Sequence, residues 1–196
     1  MTHHNARLAS LIGSRICHDL ISPVGAIGNG LELIEMTGAG RDEMALISDS
    51  LEGAKAMIGY FRIAFGIGSA GQEVTAREIS EILDAMAPTR RAQIAWDMPR
   101  SLPRSELRLL FLALMCAETA LPFGGTIAVT GAAGGWTVTA EGKRTRILPE
   151  LWDILSAPDT DAAPQHVHFI LLGVLLQDDG RAPQVDLGEN AVTLAF

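Results

Sequence analysis

No stretch of this chain gathers lysine and arginine into a stripe, and its formal net charge is −8. That argues against a nucleic-acid partner, because a phosphate backbone is met by concentrated positive charge. No apolar run is long enough to cross a bilayer: the longest, Leu109 to Ala117, falls well short of the ~20 residues a spanning helix needs. No leader pattern is visible either, since Met1-Thr2-His3-His4-Asn5 passes directly into helical periodicity. Cysteine is scarce, and Cys17 and Cys116 both fall in apolar helical contexts without metal or redox spacing. His166 and His168 have no cysteine or well-spaced acid to complete a metal site, and read as a loop-to-helix junction. There is no internal repeat and no low-complexity tract. The expectation is a cytoplasmic protein with no membrane or nucleic-acid partner and no metal of its own.

What the chain does have is heptad rhythm. From about Ala6 to Met36, Leu20, Val24, Ile27, Leu31 and Ile34 are spaced 4, 3, 4, 3 and build one seam on a helix. Thr37-Gly38-Ala39-Gly40 breaks the pattern as a tight helix–helix turn. A second helix, Arg41 to about Gly66, carries Met44, Ile47, Leu51, Ala54, Ile58, Phe61 and Phe65 at spacings 3, 4, 3, 4, 3, 4. One antiparallel hairpin cannot cover two such seams, so two copies are expected to pair as a four-helix bundle, a homodimer. Gly66 to Gly71 reads as a linker, dividing the chain into a helical hairpin, 1–68, and a second domain, 72–196.

The second domain mixes helices with mostly antiparallel strands. Thr75 and Glu78 form a capping box opening a helix to about Met86. Gln93 to Asp97 reads as a strand, Pro99 and Pro103 bracket a turn, and a helix runs from about Ser105 through Ala120. Thr126–Thr130 and Trp136–Ala140 alternate like a hairpin. A helix near Pro149 to Leu155, a buried helix over Val167–Leu176 and one or two closing strands in Gln184–Phe196 complete an α+β sandwich.

The chemistry concentrates at His18-Asp19-Leu20-Ile21-Ser22-Pro23. His18 lies two residues from the seam, roughly 200° around the helix axis, on a stripe with Ser22, Gly25, Asn29 and Glu32. A neutral imidazole is a good nucleophile near pH 7, and this one is expected on the solvent side, above small and polar residues. Asp19 is placed to orient the ring or take its proton, although neighbours on a helix diverge by ~100° and contact is not assured. Arg15, one turn earlier, reads equally as a phosphate contact or a solvated bundle residue. Pro23 crowds the carbonyl of Asp19, so a kink is expected there. Gly25 and Gly28 each lower helix propensity by about 1 kcal/mol relative to alanine, and offer bare backbone to a docking partner.

The His-Asp-x-x-x-Pro sequence on the first of two dimerising helices is similar to the H-box of sensor histidine kinases. Leu114-Met115-Cys116-Ala117 and Pro122-Phe123-Gly124-Gly125-Thr126-Ile127 resemble the N-box region of their catalytic domain. The nucleotide signatures are missing. Leu112 and Cys116 stand where asparagines would hold Mg²⁺ and phosphates, Ala140 where an aspartate would contact adenine, and Gln165-His166-Val167-His168 where a glycine-rich turn would lie. The chain is therefore identified as similar to the ChpT-type histidine phosphotransferases of alphaproteobacteria. That resemblance implies a degenerate, Bergerat-type catalytic domain and a phosphorelay role. His18 would be the phosphoacceptor supported by Asp19, with Ser22, Gly25, Asn29 and Arg15 facing the partner. The partners implied are receiver domains of a hybrid histidine kinase and of response regulators. No cofactor is implied beyond the Mg²⁺ carried by the receiver. A degenerate autokinase and a receiver-binding scaffold without catalysis are the alternatives.

Overall fold

The glycine break folds the first two helices against each other. Helix α1 spans His3–Thr37 and α2 spans Arg41–Ala64 in a computed structural model that describes residues 3–38, 40–66, 71–97, 99–158 and 161–196. Gly38 ends α1 at a φ of +82°, its amide donating to the carbonyl of Ile34 at 2.9 Å, the left-handed stop that glycine adopts without a Cβ penalty. Helix α1 runs unbroken through Pro23, as the expected span from Ala6 to Met36 requires. The interior of the hairpin is close-packed at Gly30, where a Cβ would fall 2.6 Å from Cγ1 of Ile47.

The heptads of α2 do not all serve one seam. Met44, Leu51 and Ile58 are exposed, as are Val24 and Leu31 of α1, whereas Ala54 and Phe61 are buried. The last two turns of α2 enter the core of the C-terminal half: Tyr60 stacks on Phe111 with ring centroids 4.3 Å apart, and its hydroxyl donates to the Phe111 carbonyl at 2.6 Å. The orphan carbonyls at the end of α2 are met by Arg104, at 2.6 Å from the Arg62 oxygen, and Arg108, at 3.3 Å from that of Ala64. Phe61 and Phe65, read as bundle residues from their spacing, belong to this junction. Of the proposed linker, residues 67–70 lie outside the described residues.

The C-terminal half opens with β1 (Glu73–Thr75), leading into α3 (Ala76–Met86) through the expected Thr75–Glu78 capping box. Strands β2 (Ala92–Trp96) and β3 (Ser101–Pro103) follow, then α4 (Arg104–Thr119) and the hairpin of β4 (Gly125–Ala132) and β5 (Gly135–Glu141). After α5 (Pro149–Asp153), a 3-10 turn over Pro164–His166 feeds α6 (Val167–Asp178), and β6 (Gln184–Leu187) and β7 (Ala191–Ala195) close the fold. The main sheet has the order β2-β4-β5-β7-β6, with β2 and β4 parallel and the other pairs antiparallel. The short strands β1 and β3, absent from the sequence reading, pair separately. Ile127, Val129, Val138, Ala140, Val192 and Leu194 alternate inward along their strands. Helix α4, apolar nearly all round, and α6 lie in the same core, which gives an α+β sandwich.

Leu8, Leu11, Ile12 and Ile16 of α1 are packed on that core as well, and Arg7 pairs with Asp161. The first half of α1 is thus seated on the C-terminal half, and His18 stands just beyond the seat.

Candidate functional site

The imidazole of His18 is 80 % exposed, while the side chain of Asp19 is only 17 % exposed. Despite the angular divergence of adjacent helical residues, the two touch: His18 Nδ1 lies 3.0 Å from Asp19 Oδ1. The second oxygen, Oδ2, accepts from Arg15 Nε at 2.5 Å, and Arg15 Nη1 donates to the backbone carbonyl of Gln165. Both carboxylate oxygens are therefore committed. With Nδ1 held by a carboxylate, the imidazole is set in the tautomer whose Nε2 carries the free lone pair. Arg15, 21 % exposed, is held by these two contacts, and its guanidinium joins α1 to the turn before α6.

Ser22, Gly25 and Asn29 are exposed on the face that His18 occupies. A Cβ added at Gly25 or Gly28 meets nothing within 4 Å, so the backbone there is open. Ile21 and Val24, 72 % and 59 % exposed, flank the same level of the helix.

Beneath Arg15 and Asp19, between the hairpin and the C-terminal half, lies a cavity of about 360 Å³ whose lining includes Tyr60, Arg90, Glu118 and His168. The Arg90 guanidinium sits 4.8 Å over the Tyr60 ring and 3.1 Å from Glu118. Burial pushes the Glu118 carboxyl above its usual range, against the pull of Arg90 and Arg15. His168 is fully buried, its Nε2 3.3 Å from the Thr119 hydroxyl, which itself donates to the Met115 carbonyl. Burial first, then the charge of Arg15, holds His168 well below the ordinary imidazole range, so it stays neutral and is no second nucleophile on the surface. His166 and His168 lie at the junction of the 3-10 turn with α6, as their position in the sequence suggested.

The residues present do not fit ATP and Mg²⁺. Leu112, Cys116 and Ala140 are each fully enclosed in the core. Burial also raises the Cys116 thiol well above its usual range, which keeps it protonated and unable to serve as a ligand. A hard cation needs oxygen donors, and none of these three side chains supplies one.

The signature described as histidine phosphotransferase C-terminal domain matches residues 76–191. The chain belongs to the histidine phosphotransferase family. Protein phosphotransferase ChpT of Brucella abortus (strain 2308) is 37 % identical over 164 residues, 81 % of this chain and 77 % of the relative. A solved structure of a bacterial phosphotransferase superposes with a TM-score of 0.80 at 30 % identity, over 97 % of this chain and 95 % of that one. The histidine kinase AdeS of Acinetobacter baumannii aligns over 91 % of this chain and 95 % of its own, at 11 % identity and a TM-score of 0.47. Like its relatives, this histidine phosphotransferase is an enzyme of phosphoryl transfer, and none of its described helices is long and apolar enough to cross a membrane.

Two features of the site were missed in the sequence. The Arg15–Asp19 pair sits at the i, i+4 spacing that favours side-chain contact, and that spacing was the available signal. The Gln165 carbonyl carries no side-chain signature at all.

Proposed function

We propose that His18 is the phosphoacceptor of a phosphorelay. It takes the group from the receiver domain of a hybrid kinase and returns it to receiver aspartates on response regulators. The observation that carries this reading is an imidazole 80 % exposed with its Nδ1 held at 3.0 Å by a carboxylate that is itself largely buried. The lone pair on Nε2 attacks the phosphorus of an aspartyl phosphate. The P–O bond breaks, its electron pair leaves on the receiver's carboxylate, and a phosphoramidate forms. The positive charge that builds on the ring is met by Asp19, which holds or accepts the Nδ1 proton. Such transfers depend on positioning and charge stabilisation. The protein brings no cofactor of its own, and Mg²⁺ arrives on the receiver.

The kinase-shaped C-terminal half is read as a catalytic domain that has lost ATP, so no autokinase activity remains. The receiver docks along the face of Ser22, Gly25 and Asn29. Val24, Leu31, Met44, Leu51 and Ile58 are large apolar side chains left exposed on the hairpin, a pattern that marks an interaction surface, and the working unit is a homodimer through them.

The test mixes the protein with a labelled phosphorylated receiver and follows the label. It is expected to move to this chain, to be lost in acid and kept in alkali as a nitrogen–phosphorus bond behaves, and to disappear in His18→Ala. Uptake and onward transfer by His18→Ala would overturn the reading in favour of a receiver-binding scaffold.

A further inference from the structure

We propose that Arg15 is a positioning residue for the transfer, through which the C-terminal half fixes the orientation of the His18–Asp19 pair. The proposal rests on the reading of His18 as phosphoacceptor and goes beyond it, because it gives the C-terminal half a part in the reaction. A continuous chain of polar contacts runs from one half to the other. The Gln165 carbonyl accepts from Arg15 Nη1, Arg15 Nε donates to Asp19 Oδ2 at 2.5 Å, and Asp19 Oδ1 lies 3.0 Å from His18 Nδ1.

Each member has a physical reason to transmit orientation. The terminal torsion of an aspartate is broad and twofold, so a carboxylate with one partner swings readily. The guanidinium is a rigid plane whose donors point in fixed directions, so anchoring one nitrogen sets the direction of the next. The anchor is a backbone oxygen, which neither titrates nor rotates freely. Its turn, Pro164–His166, leads straight into α6, whose Val167, Phe169, Leu172 and Leu176 are fully enclosed in the core. Arg15 and Asp19 are both largely sheltered, at 21 % and 17 % exposed, while the residue they serve is the exposed one. A residue meant for the incoming phosphate would be turned to solvent, and Arg15 is turned inward.

A plain interdomain staple would have the same contacts but different consequences. The staple's loss would be felt in melting temperature and would not depend on Asp19. The seating of α1 by Leu8, Leu11, Ile12 and Ile16 and by Arg7–Asp161 remains when Arg15 is changed, so the variant folds.

The experiment measures single-turnover transfer from a phosphorylated receiver to the full-length chain, varying receiver concentration, for wild type, Arg15→Gln, Asp19→Asn and the double variant. Arg15→Gln is expected to lower the maximal rate ten- to a hundredfold with the half-saturating receiver concentration changed less than twofold. In the Asp19→Asn background the same change is expected to have less than a twofold effect, because coupled residues are not additive. The nitrogen spectrum of His18 should pass from one tautomer to a mixture. Arg15→Lys, which keeps stem and charge but not the fork, should fall similarly and guards against misfolding of the glutamine variant. An unchanged rate, an equal loss in both backgrounds, or a loss confined to half-saturation would overturn the proposal. Failure of the phosphoacceptor reading shows separately, as label on His18→Ala in the same assay.

Discussion

In the proposed reaction one side chain, His18, carries the chemistry, and Asp19, Arg15 and the Gln165 carbonyl set which of its nitrogens is left free. The sequence places the histidine on the open face and an acid beside it, and both are found there. Whether adjacent residues of a helix meet is settled by side-chain torsions that no spacing encodes, and the Gln165 anchor lies 150 residues away as a backbone atom. His168 lies inside the helix expected to be buried, although no spacing pairs its Nε2 with the Thr119 hydroxyl. It makes a prediction of its own. Its folded pKa lies well below the ordinary value, through burial and Arg15. Below about pH 6.5 the unfolded chain therefore binds a proton that the folded chain refuses, and stability falls as pH drops. The limiting slope is ~1.4 kcal/mol per pH unit. His166, lowered in the same direction by burial, adds to it, while Glu118, raised by burial, opposes it. Melting temperature should decline from pH 7 to pH 5.5, and His168→Gln should flatten most of the decline. An unchanged slope in that variant would show that His168 is protonated in the fold.

Helix α1 is two surfaces on one element. Its small residues look alike in sequence, yet Gly30 sits against Ile47 whereas Gly25 and Gly28 face open space. Helical phase separates the His18 stripe from the seam, and that much is legible. The identity of the residue opposite Gly30 depends on the register of the hairpin, which the periodicity alone does not set. Gly25→Trp should leave the circular dichroism unchanged and slow transfer at least tenfold, because the bulk falls on the proposed docking face. Gly30→Leu should instead cost about 2 kcal/mol in stability by overpacking the hairpin, read as a lower urea midpoint. Normal transfer in Gly25→Trp would place the receiver elsewhere. The short strands β1 and β3, of three residues each, escaped notice because a pairing that short leaves no periodicity to detect.

For the whole molecule, the α+β class and the order of helices follow from patterning and turns, because alternating burial in β4, β5 and β7 has its direct image in the sequence. The heptads of α2 state that Tyr60's neighbours are apolar but not which core claims them. Phe61 and Phe65 went to the C-terminal half, and Leu51 and Ile58 stayed outside. That division sharpens the expected interface. Leu51→Glu with Ile58→Glu should turn the proposed dimer into monomer by light scattering without unfolding the C-terminal half, whereas an unchanged mass would remove the hairpin face as the contact. The central claim concerns a single atom, and the most direct measurement is of the loaded protein itself. With nitrogen-15 in the histidines and phosphate delivered from a receiver, a one-bond nitrogen–phosphorus coupling should appear at Nε2 of His18, with Nδ1 protonated against Asp19. Coupling at Nδ1, at another histidine, or at none would contradict the account.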